Sequence, residues 1–266
     1  MHSPVNFTTI TTIMRRLRAP GGCPWDAEQT HASLKRYAIE ECYEVVEAID
    51  MQDDQLLCEE LGDLLLQPVF HAAIAEDRGA FSIDDVLTTL ADKLIRRHPH
   101  VFGEADQITS SDQQVANWEA IKKQEKKHER HSALDGVPPH LPALMRAQKT
   151  TEKAARVGFD WSTVKEVFAK VEEEVTEVQE AIESGNADRV EAEIGDALFA
   201  LVNLARFTGH DAESALRRTI DTFTRRFQYI EQSIASRGGR ISEAPLSEME
   251  HFWCEAKRLD SHIPKE

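Results

Sequence analysis

Two stretches decide the reading of this chain: Glu40-Glu41-Cys42-Tyr43-Glu44-Val45-Val46-Glu47-Ala48-Ile49 and Glu173-Glu174-Val175-Thr176-Glu177-Val178-Gln179-Glu180-Ala181-Ile182. They match at an offset of 133 residues, half of a chain of 266, and the match continues downstream, where Glu60, Gly62, Asp63 and Leu65 recur as Glu193, Gly195, Asp196 and Leu198. One offset serving two separated motifs is the mark of an internal duplication. With small shifts, Arg96-Arg97 is echoed by Arg225-Arg226, and Trp118 with Lys122 is echoed by Trp253 with Lys257. Both stretches have helical period. Leu34, Ala38, Glu41/Cys42, Val45 and Ala48/Ile49 step by three and four residues, as do Val164, Val167/Phe168, Val171, Glu174/Val175, Val178 and Ala181/Ile182. No segment alternates like a strand, so the expected fold class is all-α.

Outward from these two helices, the pattern predicts further helices at about 55–77, 83–97 and 113–130, then at 141–156, 187–208, 211–236 and 245–259, with Ser82 and Ser162 as N-caps. Residues 131–142 hold Pro138, Pro139 and Pro142, which deny helix and favour an extended connector. The expected organisation is therefore a domain over 1–130, a proline-containing linker over 131–142 and a second domain over 143–266. One residue breaks the symmetry of the copies. Pro68 stands five residues after Asp63, where its ring meets the carbonyl of Leu64 and no N–H is available, so a kink is expected; the equivalent in the second copy is Leu201.

Composition limits the function classes. Lys and Arg number 31 against 47 Asp and Glu, a net charge of −16 that opposes nonspecific binding to nucleic acid or an anionic membrane, both of which need a basic face. The longest uninterrupted apolar run, Ala197 to Val202, has six residues and is far too short to span a bilayer. Cys23, Cys42, Cys58 and Cys254 form no Cys-x-x-Cys pair, and residues 1–20 lack the apolar core of a secretion signal, so a reduced cytoplasmic protein is expected.

Acids stand where leucines should. Glu41 falls between Ala38 and Val45 on the apolar seam, and Glu174 falls between Val171 and Val178 in the same way. Residues three or four apart share a helix face, so Glu41 projects with Glu44 and Glu60 with Asp63. Burying unpaired carboxylates is costly, by several kcal/mol each, and a metal or a proton relieves it. Four clustered carboxylates are not all protonated at pH 7, and oxygen-only ligands select a hard cation: Mg²⁺, with Mn²⁺ able to replace it. Such a cation beside Lys93, Arg96 and Arg97, or beside Arg225 and Arg226, suggests phosphate chemistry, because Mg²⁺ bridges phosphate oxygens while basic side chains neutralise the remainder. Trp118 and Trp253 are candidates to stack on a base. No Walker A, Gly-x-Ser-x-Gly or Gly-x-Gly-x-x-Gly pattern is present.

The motif Glu40-Glu41-x-x-Glu44 followed by Glu60-x-x-Asp63, with its copy Glu173-Glu174-x-x-Glu177 followed by Glu193-x-x-Asp196, resembles the signature of the MazG family of nucleoside triphosphate pyrophosphohydrolases. The likeness runs through Gly22-Cys23-Pro24-Trp25-Asp26, Arg96 to Phe102, Leu141-Pro142-Ala143-Leu144 and Val157-Gly158-Phe159-Asp160-Trp161. It implies tandem all-α domains, each a four-helix arrangement completed in a homodimer, and Mg²⁺-dependent hydrolysis of NTP or dNTP to NMP or dNMP and pyrophosphate. By the same resemblance the metal ligands are Glu41, Glu44, Glu60 and Asp63 in the first half and Glu174, Glu177, Glu193 and Asp196 in the second. Glu40 and Glu173 are then placed to orient water or a ligand. Lys170, Arg189, Arg226, Trp253 and Lys257 resemble contacts to phosphates or nucleotide in the second half, with Lys93, Arg97 and Trp118 their counterparts in the first.

The halves depart from the family pattern differently. Ile220-Asp221-Thr222-Phe223-Thr224-Arg225-Arg226 lacks the family's asparagine and lysine, whereas the first half keeps Lys93 but carries Pro68. Either half is thus a candidate for turnover, with a lean to the second because its ligand helix is uninterrupted. Two other readings stand beside this one. A di-iron carboxylate bundle also uses inward acids, but pairs them with Glu-x-x-His; here Glu28-x-x-His31 and Glu125-x-x-His128 do not recur at the repeat offset, and His98-Pro99-His100 reads as a turn. A helical nucleotide-binding or dimerisation module without turnover is the non-enzymatic reading.

Overall fold

The computed structural model describes residues 6–103, 108–125 and 132–261, and every regular element among them is helical. The chain divides into two compact units, Met1–Glu125 and Lys126–Glu266.

In the first unit, helix α1 (Phe7–Arg18) opens on a capping box in which the Asn6 side chain accepts from the Thr9 amide. A short helix α2 (Pro24–Glu28) leads to α3 (Lys35–Met51) and α4 (Asp54–Asp77), which carry the two acidic motifs and pack against each other as the central pair of the unit. The turn between them is tight: Gln52 takes the left-handed conformation at φ 55°, and the Asp53 side chain then caps α4 by accepting from the amides of Gln55 and Leu56. Met14, Leu34, Val69, Phe70, Ile74 and Ile83 form the buried core at one end of this pair. Helix α4 runs through Pro68 as one element of 24 residues. Helix α5 (Ile83–Arg97) is capped by Ser82, as its sequence predicts, in a reciprocal box with Asp85. Pro99 ends that helix and starts a single turn, α6 (Pro99–Phe102), before α7 (Ser111–Glu125). The predicted extension of α7 to residue 130 lies outside the described residues.

The second unit repeats the plan. After α8 (Ala143–Ala155), helices α9 (Val164–Ser184) and α10 (Ala187–Phe207) carry the duplicated motifs, and α11 (Ala212–Ser236) pairs with α12 (Leu246–Ser261). The cap of α9 differs from expectation: Thr163, not Ser162, accepts from the Glu166 amide, while the Ser162 amide donates to the Glu166 carboxylate. The helix therefore starts one residue later. Gly185 ends α9 at φ 68°, a left-handed conformation that favours glycine, and the next residue, Asn186, caps α10 by accepting from the Arg189 amide. Ile230, Ile234 and Phe252 close the α11–α12 core, and Val167, Val171, Ala181, Ala200 and Val202 are buried along α9 and α10.

Candidate metal centre

Each motif-bearing pair, α3 with α4 and α9 with α10, builds an acidic cluster from two consecutive helices. In the first unit Glu41, Glu44 and Glu60 offer carboxylate oxygens that all lie within 4.8 Å of one another; in the second, Glu174, Glu177 and Glu193 do the same. The i, i+3 spacing supplies two acids from the first helix of each pair, and the tight turn brings the third from the next. Asp63 and Asp196 are outside these two groups. Asp63 is still close enough for its charge to act on Glu41 and Glu60, and Asp196 lines the cavity described below.

The electrostatics show why the clusters need a counter-charge. Burial pushes the Glu41 carboxyl above its ordinary value, and the charges of Asp63, Glu44 and Glu60 push it further. Glu60 is raised for the same reasons, desolvation first and then Glu44 and Asp63. In the second unit Glu177 is raised by desolvation and by Glu174 and Glu193, with Lys170 opposing. Glu174 is 7% exposed, and its Oε2 is buried without a hydrogen-bond partner. An orphaned carboxylate oxygen facing two further carboxylates is the donor set of a hard divalent cation, and the residues fit one.

Basic residues are distributed unevenly around the clusters. Lys170 bridges Glu173 and Glu174, at 2.8 Å to each, and Arg189 lies beside Glu193 and Glu180 at 3.4 and 3.5 Å. These two therefore stand at the second cluster, as does Glu173; Glu40 is exposed beside Glu41 on α3. Arg226 is held by Asp260 at 2.7 Å and sits 5.5 Å from the Trp253 ring, with the Lys257 ammonium 5.9 Å from the same ring. Arg225 takes the other oxygen of Asp260 at 2.9 Å. The first unit echoes this group: Arg96 and Arg97 grip Glu125 at 2.7 and 2.6 Å, and the Trp118 indole donates to the Arg97 carbonyl at 3.1 Å. Lys93 is half-buried on α5. The side chain of Lys122 and the residue His128 lie outside the described set. His31 meets His71 rather than an acid, with their Nδ1 atoms 2.8 Å apart, and His98 and His100 belong to the turn at Pro99.

A cavity of about 550 Å³ adjoins the second cluster; Lys170, Glu174 and Asp196 line it together with Trp161, Phe199 and Asn203. Lys170, Glu174 and Asp196 belong to the motifs the sequence marks. Asn203 and Arg206 carry no motif, and their signal lies in the comparison of the copies: at the repeat offset they replace Phe70 and Ala73, so two polar groups interrupt an apolar helix face in one copy only. In the first unit Phe70 is 3% exposed, and Trp25 packs edge-on against both it and Tyr37, the residue standing where the second copy has Lys170.

An all-helical chain that twice presents three converging carboxylates, with cations beside them, defines a class of α-helical proteins built to hold a divalent ion together with an anionic ligand. Within that class the chain belongs to the MazG family: the MazG nucleotide pyrophosphohydrolase domain matches residues 29–102 and again 162–230. Among its relatives, the nucleoside triphosphate pyrophosphohydrolase/pyrophosphatase MazG of Thermotoga maritima is 47% identical, over 96% of this chain and 96% of that protein. The nucleoside triphosphate pyrophosphohydrolase of Escherichia coli K12 is also 47% identical, over 94% and 97%. The uncharacterized protein YabN of Bacillus subtilis is 49% identical over 96% of this chain, which spans 52% of it.

Proposed function

We propose that the protein is a nucleoside triphosphate pyrophosphohydrolase, cleaving NTP or dNTP between the α- and β-phosphates to give NMP or dNMP and pyrophosphate. The observation that carries this reading is the carboxylate cluster at Glu174, Glu177 and Glu193, in which Glu174 is buried with one oxygen unpaired and the other two are half-buried, with Lys170 and Arg189 against it, in a chain that belongs to this family. Glu174, Glu177, Glu193 and Asp196 would hold Mg²⁺ or Mn²⁺, and Glu41, Glu44, Glu60 and Asp63 would do so in the first half. When bound, that cation supplies charge neutralisation and Lewis acidity toward the phosphates. Lys170 and Arg189 neutralise phosphate oxygens and hold the chain of phosphates in line. Glu173, paired with Lys170, accepts a proton from the attacking water or orients it, as Glu40 would in the first half. Arg226, Trp253 and Lys257, with Lys93, Arg97 and Trp118 as counterparts, form basic and aromatic groups suited to further nucleotide contacts. The four cysteines are free, consistent with action in the reducing cytoplasm, and no described helix is long and apolar enough to cross a membrane.

The second half is the proposed catalyst. Its cluster opens on a cavity lined by Lys170 and Asn203, whereas in the first half Tyr37 and the buried Phe70 stand at the two equivalent positions. That packing favours a cation-holding or scaffolding role without turnover for the first half. The di-iron reading has no support, because both clusters are composed of glutamates without histidine among the described residues.

The test is pyrophosphate release from a panel of triphosphates with Mg²⁺, for wild type, for Glu174→Gln with Glu177→Gln, and for Glu41→Gln with Glu44→Gln. Wild type should release equimolar NMP and pyrophosphate, the second-half double variant should lose at least 10³-fold (an order-of-magnitude figure for lost metal chemistry), and the first-half variant should retain most activity. A dead first-half variant beside an active second-half one would reverse the assignment, and no pyrophosphate from wild type would leave the binding-module reading.

A further inference from the structure

The cavity beside the second cluster contains a polar network that neither a cation nor phosphates require. Asn203 and Arg206 stand one turn apart on α10, and Asp160 lies in the loop before α9. Arg206 sets Nη1 and Nη2 on the two carboxylate oxygens of Asp160 at 3.0 and 2.5 Å, and its Nε donates to Oδ1 of Asn203 at 2.9 Å. The Arg206 side chain is 12% exposed, so this arrangement is largely shielded from water. A guanidinium carries donors only, and the amide atom facing it must therefore be the oxygen. Turning the amide over would set N–H against N–H in a shielded place. Asp160 occupies both ends of the guanidinium fork and so fixes the plane from which Nε points. The consequence is directional: the Asn203 Nδ2 donates to no other described residue, and it is left for whatever fills the cavity.

We propose that Asn203 is a specificity-determining residue that donates from Nδ2 to the exocyclic group of a nucleobase in this cavity, favouring keto bases over amino bases. The inference rests on the nucleotide reading above and adds the class of base to it. At about 550 Å³ the cavity is within the range of small-ligand sites, and Trp161 and Phe199 offer aromatic faces for a base. Lys170, Glu174 and Asp196 line the same space, so a nucleoside here shares its walls with the cluster that would hold its phosphates. Guanine, hypoxanthine, uracil and thymine present a carbonyl that accepts from Nδ2. Adenine and cytosine present an amine there, and two donors then face each other with neither satisfied. An unrestrained asparagine turns over and reads both edges; the Asp160–Arg206 fork removes that choice. Asp160 and Arg206 are on this account positioning residues. The first half has no counterpart, since Phe70 and Ala73 occupy the two positions.

Two substrate pairs isolate the group in question: ITP against ATP, and UTP against CTP. For wild type, kcat/KM should favour the keto member of each pair by on the order of tenfold, the discrimination of one shielded hydrogen bond. Asn203→Ala should bring both ratios to near one, by lowering use of the keto member and relieving the donor clash with the amino member, while an unchanged helical circular-dichroism spectrum and thermal midpoint report that the fold is kept. Arg206→Leu should also collapse the ratios by freeing the amide, and Arg206→Lys, which restores a donor to Oδ1, should recover them. Equal use of both members by wild type, or ratios unchanged in Asn203→Ala, would overturn the proposal. Calorimetry of IMP against AMP and of UMP against CMP needs no turnover. A keto preference there in a protein that cleaves no triphosphate would refute the catalytic reading and keep this one, and monophosphate binding without preference would overturn it.

Discussion

Two single acids, Glu125 and Asp260, organise the paired arginines that the sequence marked as phosphate contacts. Arg97 and Arg96, through direct hydrogen bonds, hold the Glu125 carboxyl down at about 2, and Arg226 and Arg225 depress Asp260 in the same manner. The sign of the pH dependence follows. A carboxyl that titrates lower in the folded chain than in the unfolded chain stabilises fully above the unfolded value, 4.5 for this glutamate, and that stabilisation fades as pH falls toward 2. Glu125→Gln should therefore lower the urea midpoint at pH 7, and the gap from wild type should narrow steadily as the pH is taken from about 5 to about 3; a gap independent of pH would mean that the ion pair contributes nothing. At this scale the sequence was most informative where a residue type was out of place. Glu41 and Glu174 on an apolar seam announced a cluster, and both are in one. It was least informative where the function of a residue depends on its neighbour's orientation: nothing in the letters at 203 and 206 says which face of the amide is free.

The helices themselves were legible because their period is strong and their caps are chemically explicit. Ser82 and Asp85 form the reciprocal box at the start of α5, and the proline run at residues 138–142 precedes α8 without interrupting it. Helices α1 and α2 lie outside the duplicated acidic motifs, and the sequence pattern above predicts no helix over their residues. Pro68 is the instructive element-scale case. The expected penalty is real in kind, since a proline cannot donate to the Leu64 carbonyl, yet α4 continues because Val69, Phe70, Ala72, Ala73 and Ile74 beyond it are buried in the unit's core. Packing outweighs the local cost. Pro68 is exposed, as is Leu201 at the same place in α10, so Pro68→Leu restores a backbone donor without adding a side chain to the core. The variant should stabilise the protein by about 1–3 kcal/mol in denaturant unfolding, and an unchanged or lowered midpoint would show that α4 has already adapted fully to the proline.

At the scale of the whole molecule, the duplication leaves corresponding apolar side chains uncovered in each unit: Ile49 and Ile182, Leu61 and Ile194, Leu65 and Leu198 are all exposed. Faces of this kind on the helices that carry the acidic motifs are suited to a second copy of the chain, and light scattering should give twice the chain mass of 30.0 kDa. A mass of one chain would exclude the homodimer. The net charge of −16 is compatible with such an assembly because the apolar helix faces, not the acids, would meet. The contrast between the filled first half and the open second half also has an optical side. Each half holds two of the four tryptophans; Trp25 packs edge-on against Phe70 and Tyr37 and is 52% exposed, while Trp161 borders the cavity and is 42% exposed. Both indoles are thus open to water but of the two Trp161 alone lines the cavity, so a fluorescence change on ligand addition that Trp161→Phe abolishes and Trp25→Phe leaves intact would report entry into the second of the two near-copies.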